Sequence, residues 1–258
     1  MNMRVTVCEM NNDRKIFEED WKRLAVHIKE NKSDLVLLPE MPFSSWFPRT
    51  KPFDQNIWDA AVKAHEKGLK HLVELSPAAV LGSMPVTQEK KRLNQGFVWD
   101  KDLGYRTVHT KYYLPDEEGF WEASWYTRGK KRFISSEIRG TRIGFLICTD
   151  LWFFEHARAY GKESVHLLVC PRATPHSTLD KWLAGGRTAS IVSGAYCISS
   201  NRYEPGNTDS GMGGQGWITA PDGEVLCSTS PTEPFLTVQL DLARADKAKS
   251  TYPRYVKD

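Results

Sequence analysis

The chain predicts an α/β protein in which two mixed sheets pack face to face and helices cover them outside. Three observations carry that expectation. Strand-like and helical segments alternate along both halves of the 258 residues, as in strand-helix-strand units. The segment DLVLLP at 34–39 is apolar throughout instead of alternating, the pattern of an inner strand covered on both faces. The stretch 142–175 reads as an apolar strand, a tight turn, a short amphipathic helix and a second apolar strand.

Residues 4–8 are a short β-branched strand, and 13–32 place Phe17, Trp21, Leu24 and Ile28 at spacings of four, three and four, the period of a helix with one buried face. The inner strand 34–39 delivers Glu40 at its carboxyl end. An aromatic and proline-rich loop, 41–52, leads to a helix at 56–75 with Trp58, Ala61, Val62, Leu69 and Leu72 along one side, stopped by Ser76 and Pro77. Strands at 78–86 and 95–99 follow, and 100–104 turns the chain into a strand at 105–110. Lys111 stands where that strand stops. The loop 112–129, YYLPDEEGFWEASWYTRG, is too long and too rich in aromatics and acids for a connector, so it is expected to cover a site.

A short strand at 133–136 precedes the strand 143–147, the turn carrying Cys148, Thr149 and Asp150, a helix from Leu151 or Trp152, and the strand 167–170. A helix at 177–192, a strand at 196–201, a hairpin of 215–220 with 224–228 around Pro221-Asp222-Gly223, and a strand at 235–242 complete the set. Residues 243–258 are charged, without a core pattern, and are expected to fray or to lie against another subunit. The whole chain, 1–258, is read as one domain.

With 35 basic against 32 acidic side chains, the net charge of +3 gives no basis for an extended nucleic-acid or membrane surface. A small molecule is the expected partner. The first residues hold no basic segment followed by an apolar one, so a cytoplasmic protein is expected. The five cysteines, at 8, 148, 170, 197 and 227, have no paired spacing and read as reduced thiols. Four lie in strand-like apolar runs, where a small buried hydrophobe is the default; Cys148 differs because polar residues follow it. Gly211, Gly213 and Gly216 spell GxGxxG, but a strand-like segment follows instead of a helix, so they read as a turn. The seven histidines have no metal-ligand spacing, and no metal or cofactor is expected.

Three strands therefore end in a carboxylate, Glu40, an ammonium, Lys111, and a thiol, Cys148. Brought together they supply a base for the thiol proton, a cation for an oxyanion and a soft nucleophile able to form an acyl intermediate. A neighbouring cation, and the positive end of the helix expected from Leu151 or Trp152, would favour the thiolate. Asp150 reads as the cap of that helix, or as a substrate contact.

The segments LVLLPE, HTKYYLPDEEGFWE and GFLICTDLWFFEHAR resemble the three signature regions of the nitrilase superfamily of carbon-nitrogen hydrolases, and CPRATP, SSNR and GQGWITAPDGEVL resemble its later blocks. The likeness runs over nearly the whole chain and leans toward the carbamoylputrescine amidase and aliphatic amidase branches. The resemblance implies a four-layer αββα sandwich, a homodimer or higher homo-oligomer, and a catalytic triad of Glu40, Lys111 and Cys148. It also implies a second glutamate that holds the lysine or orients substrate; Glu122 matches best and Glu118 is the runner-up. Nitrile-cleaving members carry Trp-Glu after the cysteine, whereas Thr149 and Asp150 stand here, which favours an amide or carbamoyl substrate. The candidate substrate-binding residues are Trp46, Glu118, Trp121, Thr149, Trp152, Arg172 and Thr174, with Phe47 and Trp125 adding to aromatic walls. Arg172 or Arg202 would have to meet a substrate carboxylate, and acidic Asp116, Glu117 and Glu118 would attract a cationic tail. A nitrilase, and a catalytically silent binding protein with the same fold, are the alternatives.

Overall fold

The structure is a computed structural model that describes residues 1–206 and 211–256. In chain order the strands and helices are β1 (Asn2–Asn11), α1 (Arg14–Asn31), β2 (Leu35–Leu37), α2 (Gln55–Leu69), β3 (Ala79–Gln88), β4 (Lys91–Asp100), β5 (Gly104–Thr110), α3 (Glu122–Trp125), β6 (Ser136–Ile138), β7 (Thr141–Phe145), α4 (Phe154–Lys162), β8 (Leu167–Arg172), α5 (Leu179–Ser193), β9 (Tyr196–Tyr203), β10 (Trp217–Thr219), β11 (Val225–Ser228), β12 (Phe235–Asp241) and α6 (Leu242–Ala248).

The strands run β5-β4-β3-β2-β1-β9-β8-β7-β6, with β10 on β9, β11 on β10 and β12 on β1. Instead of the two separate sheets expected, one mixed sheet is hydrogen-bonded throughout, because β1 is long enough to serve both halves. Its earlier residues pair with β12 and β2, while Glu9, Met10 and Asn11 pair with β9.

Side-chain alternation along β2 explains its apolar sequence. Leu35 and Leu37 join a cluster that also holds Val5, Leu81 and Val98 from their own half and Ile143, Phe145 and Val169 from the other. Val36 and Leu38 point the opposite way, into a second cluster with Phe17, Trp21, Leu24 and Ile28 of α1. The two halves approach closely: a Cβ at Gly96 in β4 would lie 2.7 Å from the Phe145 ring of β7. Tyr160 of α4 and Trp182 and Ala189 of α5 join the first cluster.

Several segments depart from expectation for local reasons. The long helix expected at 56–75 is α2 followed by a separate 3-10 turn, Leu72–Leu75. β3 and β4 form one hairpin whose turn residues Glu89 and Lys90 both take left-handed φ, 48° and 62°, a geometry usually signalled by Asn or Gly. The short strand lies at Ser136–Ile138 because Phe133 is instead stacked on the His156 ring, centroids 3.5 Å apart. After Cys148 comes a 3-10 turn, Cys148–Trp152, and the α-helix starts only at Phe154.

The last segment does carry a core pattern. Leu242, Ala245 and Ala248 of α6 are buried, and the Lys249 ammonium donates to the carbonyls of Val165, Ser193 and Gly194 at 2.6, 2.9 and 2.9 Å. Residues 257–258 of the expected tail lie outside the described residues. Among the described residues no helix is long and apolar enough to cross a membrane.

Candidate active site

The ends of β2, β5, β7 and β8 converge where the two halves of the sheet meet. The Glu40 amide donates to the Arg172 carbonyl at 3.1 Å, tying the end of β2 to the end of β8. The Lys111 amide donates to the Asn94 carbonyl at 2.9 Å, fixing the end of β5 on β4. Cys148 sits three residues beyond the end of β7 with φ 45°, in the left-handed region. For a residue with a Cβ that conformation costs about 1–3 kcal/mol and persists only where the surroundings impose it.

Lys111 is fully buried, and its ammonium donates to Glu40 Oε1 at 2.9 Å and to Glu122 Oε1 and Oε2 at 2.8 and 2.6 Å. Glu40 Oε1 accepts a further bond from Asn94 Nδ2 at 2.7 Å, while Glu40 Oε2 is buried without a partner among the described residues. Glu122 heads the one-turn helix α3, held by Trp125, whose buried ring meets Phe47 and Phe53 edge-on and whose Nε1 donates to the Thr50 carbonyl at 2.7 Å. Glu118, the other candidate, is exposed.

Two carboxylates therefore surround one ammonium beside the thiol. Cys148 is 3% exposed, and burial first, then Glu40, pushes its thiol well above the ordinary range; Lys111 and a hydrogen bond from the Ala173 amide oppose them. The direction of that shift is opposite to the one expected from a neighbouring cation. Burial likewise raises the Glu122 carboxyl, to about 8, against the pull of Lys111. Lys111 is held charged, its pKa raised well above the ordinary value by the Glu122 and Glu40 carboxylates despite its burial.

Asp150 does not cap the following helix. It is fully buried and binds the other side of the site: Oδ1 accepts from the Tyr112 and Tyr113 amides at 3.2 and 3.0 Å, and Oδ2 from His109 Nε2 at 2.9 Å. The Cys148 turn is thus fastened on both flanks of Lys111, to the His109 ring before it and to the Tyr112 and Tyr113 amides after it.

Other candidates fall in different places. Arg172 is fully buried, donating to Ser199 Oγ, Thr174 Oγ1 and the Gln215 carbonyl at 2.6, 3.0 and 2.6 Å, so it braces the strands below the thiol. Thr174 is buried too, its hydroxyl also accepting from Asn201 Nδ2 at 2.9 Å. Arg202 holds the carbonyls of Glu40, Met41 and Ser44 and the Asn12 side chain. Both guanidinium groups are buried and hydrogen-bonded within the fold.

Of the expected aromatic walls, Trp46 is buried in one cluster with Phe120, Met212 and Ala173, the residue whose amide reaches the thiol, and its Nε1 donates to the Gly119 carbonyl at 3.1 Å. Phe47 and Trp125 are packed into the loop's own core with Trp58 and Tyr126, and Trp121 is half-buried beneath the Lys51 ammonium, 4.6 Å away. Trp152 is 38% exposed and packs on Trp182. Thr149 is half-buried in the turn itself. A hollow of about 770 Å³ lies elsewhere, over β4 and β5, among Lys91, Arg106, Arg128 and Arg132. Among the described residues no cluster of three or more His, Cys, Asp and Glu side chains is arranged to hold a metal ion.

Three groups at the site escape the sequence reading: Asn94, His109 and the Ala173 amide. Asn94 and His109 are single polar residues inside strands, where alternation points them equally well to solvent. The Ala173 amide has no side-chain signal at all.

A family model described as carbon-nitrogen hydrolase matches residues 4–250. The N-carbamoylputrescine amidase of Solanum tuberosum is 29% identical over 167 residues, 58% of this chain and 53% of that protein, so the chain spans about half the length of that relative. The chloroplastic omega-amidase of Arabidopsis thaliana is 26% identical over 265 residues, covering 96% of this chain and 70% of the other. Among solved structures, a carbon-nitrogen hydrolase from Helicobacter pylori G27 superposes with a TM-score of 0.87 at 22% identity, covering 100% of this chain and 96% of that one. That likeness carries the α/β fold.

Proposed function

We propose that this chain, which belongs to the carbon-nitrogen hydrolase family, hydrolyses a small linear amide or N-carbamoyl amine through an acyl-thioester on Cys148. The observation that carries the reading is the buried cluster itself: one ammonium between two carboxyl groups, of which Glu40 keeps an unpartnered oxygen, beside a buried thiol.

In the proposed reaction Glu40 Oε2 takes the Cys148 proton as the sulfur bonds to the carbonyl carbon, so the thiolate forms only during attack. The carbonyl oxygen becomes an oxyanion. Lys111 meets it, together with the Thr149 amide, which lies in the first turn after Cys148 where an amide has no acceptor within the helix. The carbon-nitrogen bond then breaks, the nitrogen takes the proton from Glu40, and ammonia or an amine leaves. Water attacks the thioester while Glu40 takes its proton; the carbon-sulfur bond breaks and the proton returns to sulfur. Glu122 keeps Lys111 charged and in place throughout.

The engaged guanidinium groups of Arg172 and Arg202 support a substrate without a carboxylate near the thiol. The apolar group of Trp46, Phe120 and Met212 supports a small uncharged acyl part, and exposed Asp116, Glu117 and Glu118 support a cationic tail on the amine side. The test is ammonia release from a panel of primary amides, N-carbamoyl amines and nitriles. Hydrolysis of amides or carbamoyl amines that disappears in Cys148→Ala is expected. Equal release by both proteins overturns thiol catalysis, and acid formation from nitriles alone would make the protein a nitrilase.

A further inference from the structure

We infer that Asn94 holds Glu40 in its working position and, through its own carbonyl oxygen, accepts an N–H from the terminal NH2 of the substrate. This deepens the proposed hydrolysis and rests on it. Asn94 lies in β4 beside the strand that ends in Lys111, is 1% exposed, and belongs to neither signature segment nor acid-base pair.

Its side chain makes Glu40 asymmetric. Glu40 Oε1 accepts from both Asn94 Nδ2, at 2.7 Å, and Lys111 Nζ, at 2.9 Å, whereas Oε2 accepts from nothing among the described residues. Two donors on one oxygen fix the rotation of the carboxylate and leave the other oxygen's lone pairs for the thiol proton. The amide orientation of Asn94 follows from the same contact, because exchanging its N and O would set two acceptors 2.7 Å apart.

That orientation leaves Asn94 Oδ1 buried with no partner among the described residues. A buried acceptor left unpaired costs about 1–3 kcal/mol, so a donor arriving there is favoured. Oδ1 belongs to the amide group that touches Glu40, the carboxylate that protonates the leaving nitrogen. A nitrogen with one N–H on Asn94 Oδ1 has its lone pair positioned for the proton on Glu40 Oε2. Primary amides and N-carbamoyl amines share the –CO–NH2 end that can do this through the N–H syn to the carbonyl oxygen, whereas a trans N-methyl amide keeps only the anti N–H and has none to place on Asn94 Oδ1.

The experiment compares wild type with Asn94→Ala on a primary amide and its N-methyl derivative, and follows alkylation of Cys148 by iodoacetamide at neutral pH. The expected result is a fall in kcat of about 100-fold on the primary amide with KM changed by less than about threefold. The wild-type preference for the primary amide, about tenfold or more in kcat/KM, should collapse toward unity, and alkylation should slow about tenfold at an unchanged melting midpoint. If Asn94→Ala does not fold, Asn94→Asp, of equal size but lacking the donor to Glu40, carries the comparison with the same expected fall in kcat. Wild-type turnover with kcat and amide preference unchanged in the folded variant overturns the role of Asn94 and leaves the hydrolase reading standing. A wild type that releases ammonia from no member of the panel overturns both.

Discussion

At the residue scale the decisive feature is the burial of Cys148 beside the Glu40, Lys111 and Glu122 cluster. Burial first, then Glu40, pushes its thiol well above the ordinary range against the opposing pull of Lys111. The two candidate glutamates then separate cleanly. Glu122→Gln should lower kcat about 100-fold by loosening Lys111, while exposed Glu118→Gln should leave kcat within about twofold. Glu122 also gives a pH signature. Its carboxyl is raised from 4.5 to about 8 by burial, so between those values the folded chain holds a proton that the unfolded chain releases. Its contribution to stability therefore falls as pH rises through that window, and urea titrations at pH 5 and pH 8 should show a smaller difference in Glu122→Gln than in wild type. The strand-end positions of Glu40, Lys111 and Cys148 were legible in the sequence because in each case a strand-like run stops just before a polar side chain. Asn94 and Asp150 were not, since what they bind comes from strands distant in the chain: Glu40 is 54 residues from Asn94, and His109 is 41 from Asp150.

At the scale of elements, function depends on turns that hold strand ends in register. Asp150 joins the Cys148 turn to β5 and the segment after it through three donors, two of them backbone amides. Asp150→Ala leaves those amides and the His109 ring unpaired in a buried site. The expected cost is about 3 kcal/mol in stability, read by denaturant unfolding, with kcat reduced at least about tenfold in the protein that remains folded. Long periodic or uniformly apolar elements such as α1 and β2 followed directly from sequence, because burial of one or both faces dictates their pattern. The β3–β4 turn did not, as Glu89 and Lys90 carry no glycine or asparagine signal for their left-handed backbone. Nor did the delayed start of α4: the 3-10 turn at Cys148–Trp152 is imposed by the site, with Asp150 drawn toward His109 and the Tyr112 and Tyr113 amides instead of capping the helix.

For the whole molecule, one long strand, β1, makes a continuous sheet of two halves, and the site lies where their strand ends meet. The alternation of strands and helices predicted the α/β class, but the shared strand depends on the register of Glu9, Met10 and Asn11 against β9, which no local pattern specifies. The net charge of +3 is small, so any steering is local, through the exposed Asp116, Glu117 and Glu118 of the cover loop. Raising ionic strength from about 0.05 to 0.5 M should lower kcat/KM severalfold for an N-carbamoyl amine with a cationic tail and leave it nearly constant for a neutral amide of similar length. The central claim is covalent chemistry at Cys148. Its most direct measurement is the intact mass, with peptide mapping, of protein acid-quenched during turnover of a primary amide. The account predicts a population carrying the acyl mass on the peptide that contains Cys148, absent from Cys148→Ala, which also releases no ammonia; ammonia release that persists in Cys148→Ala would contradict it.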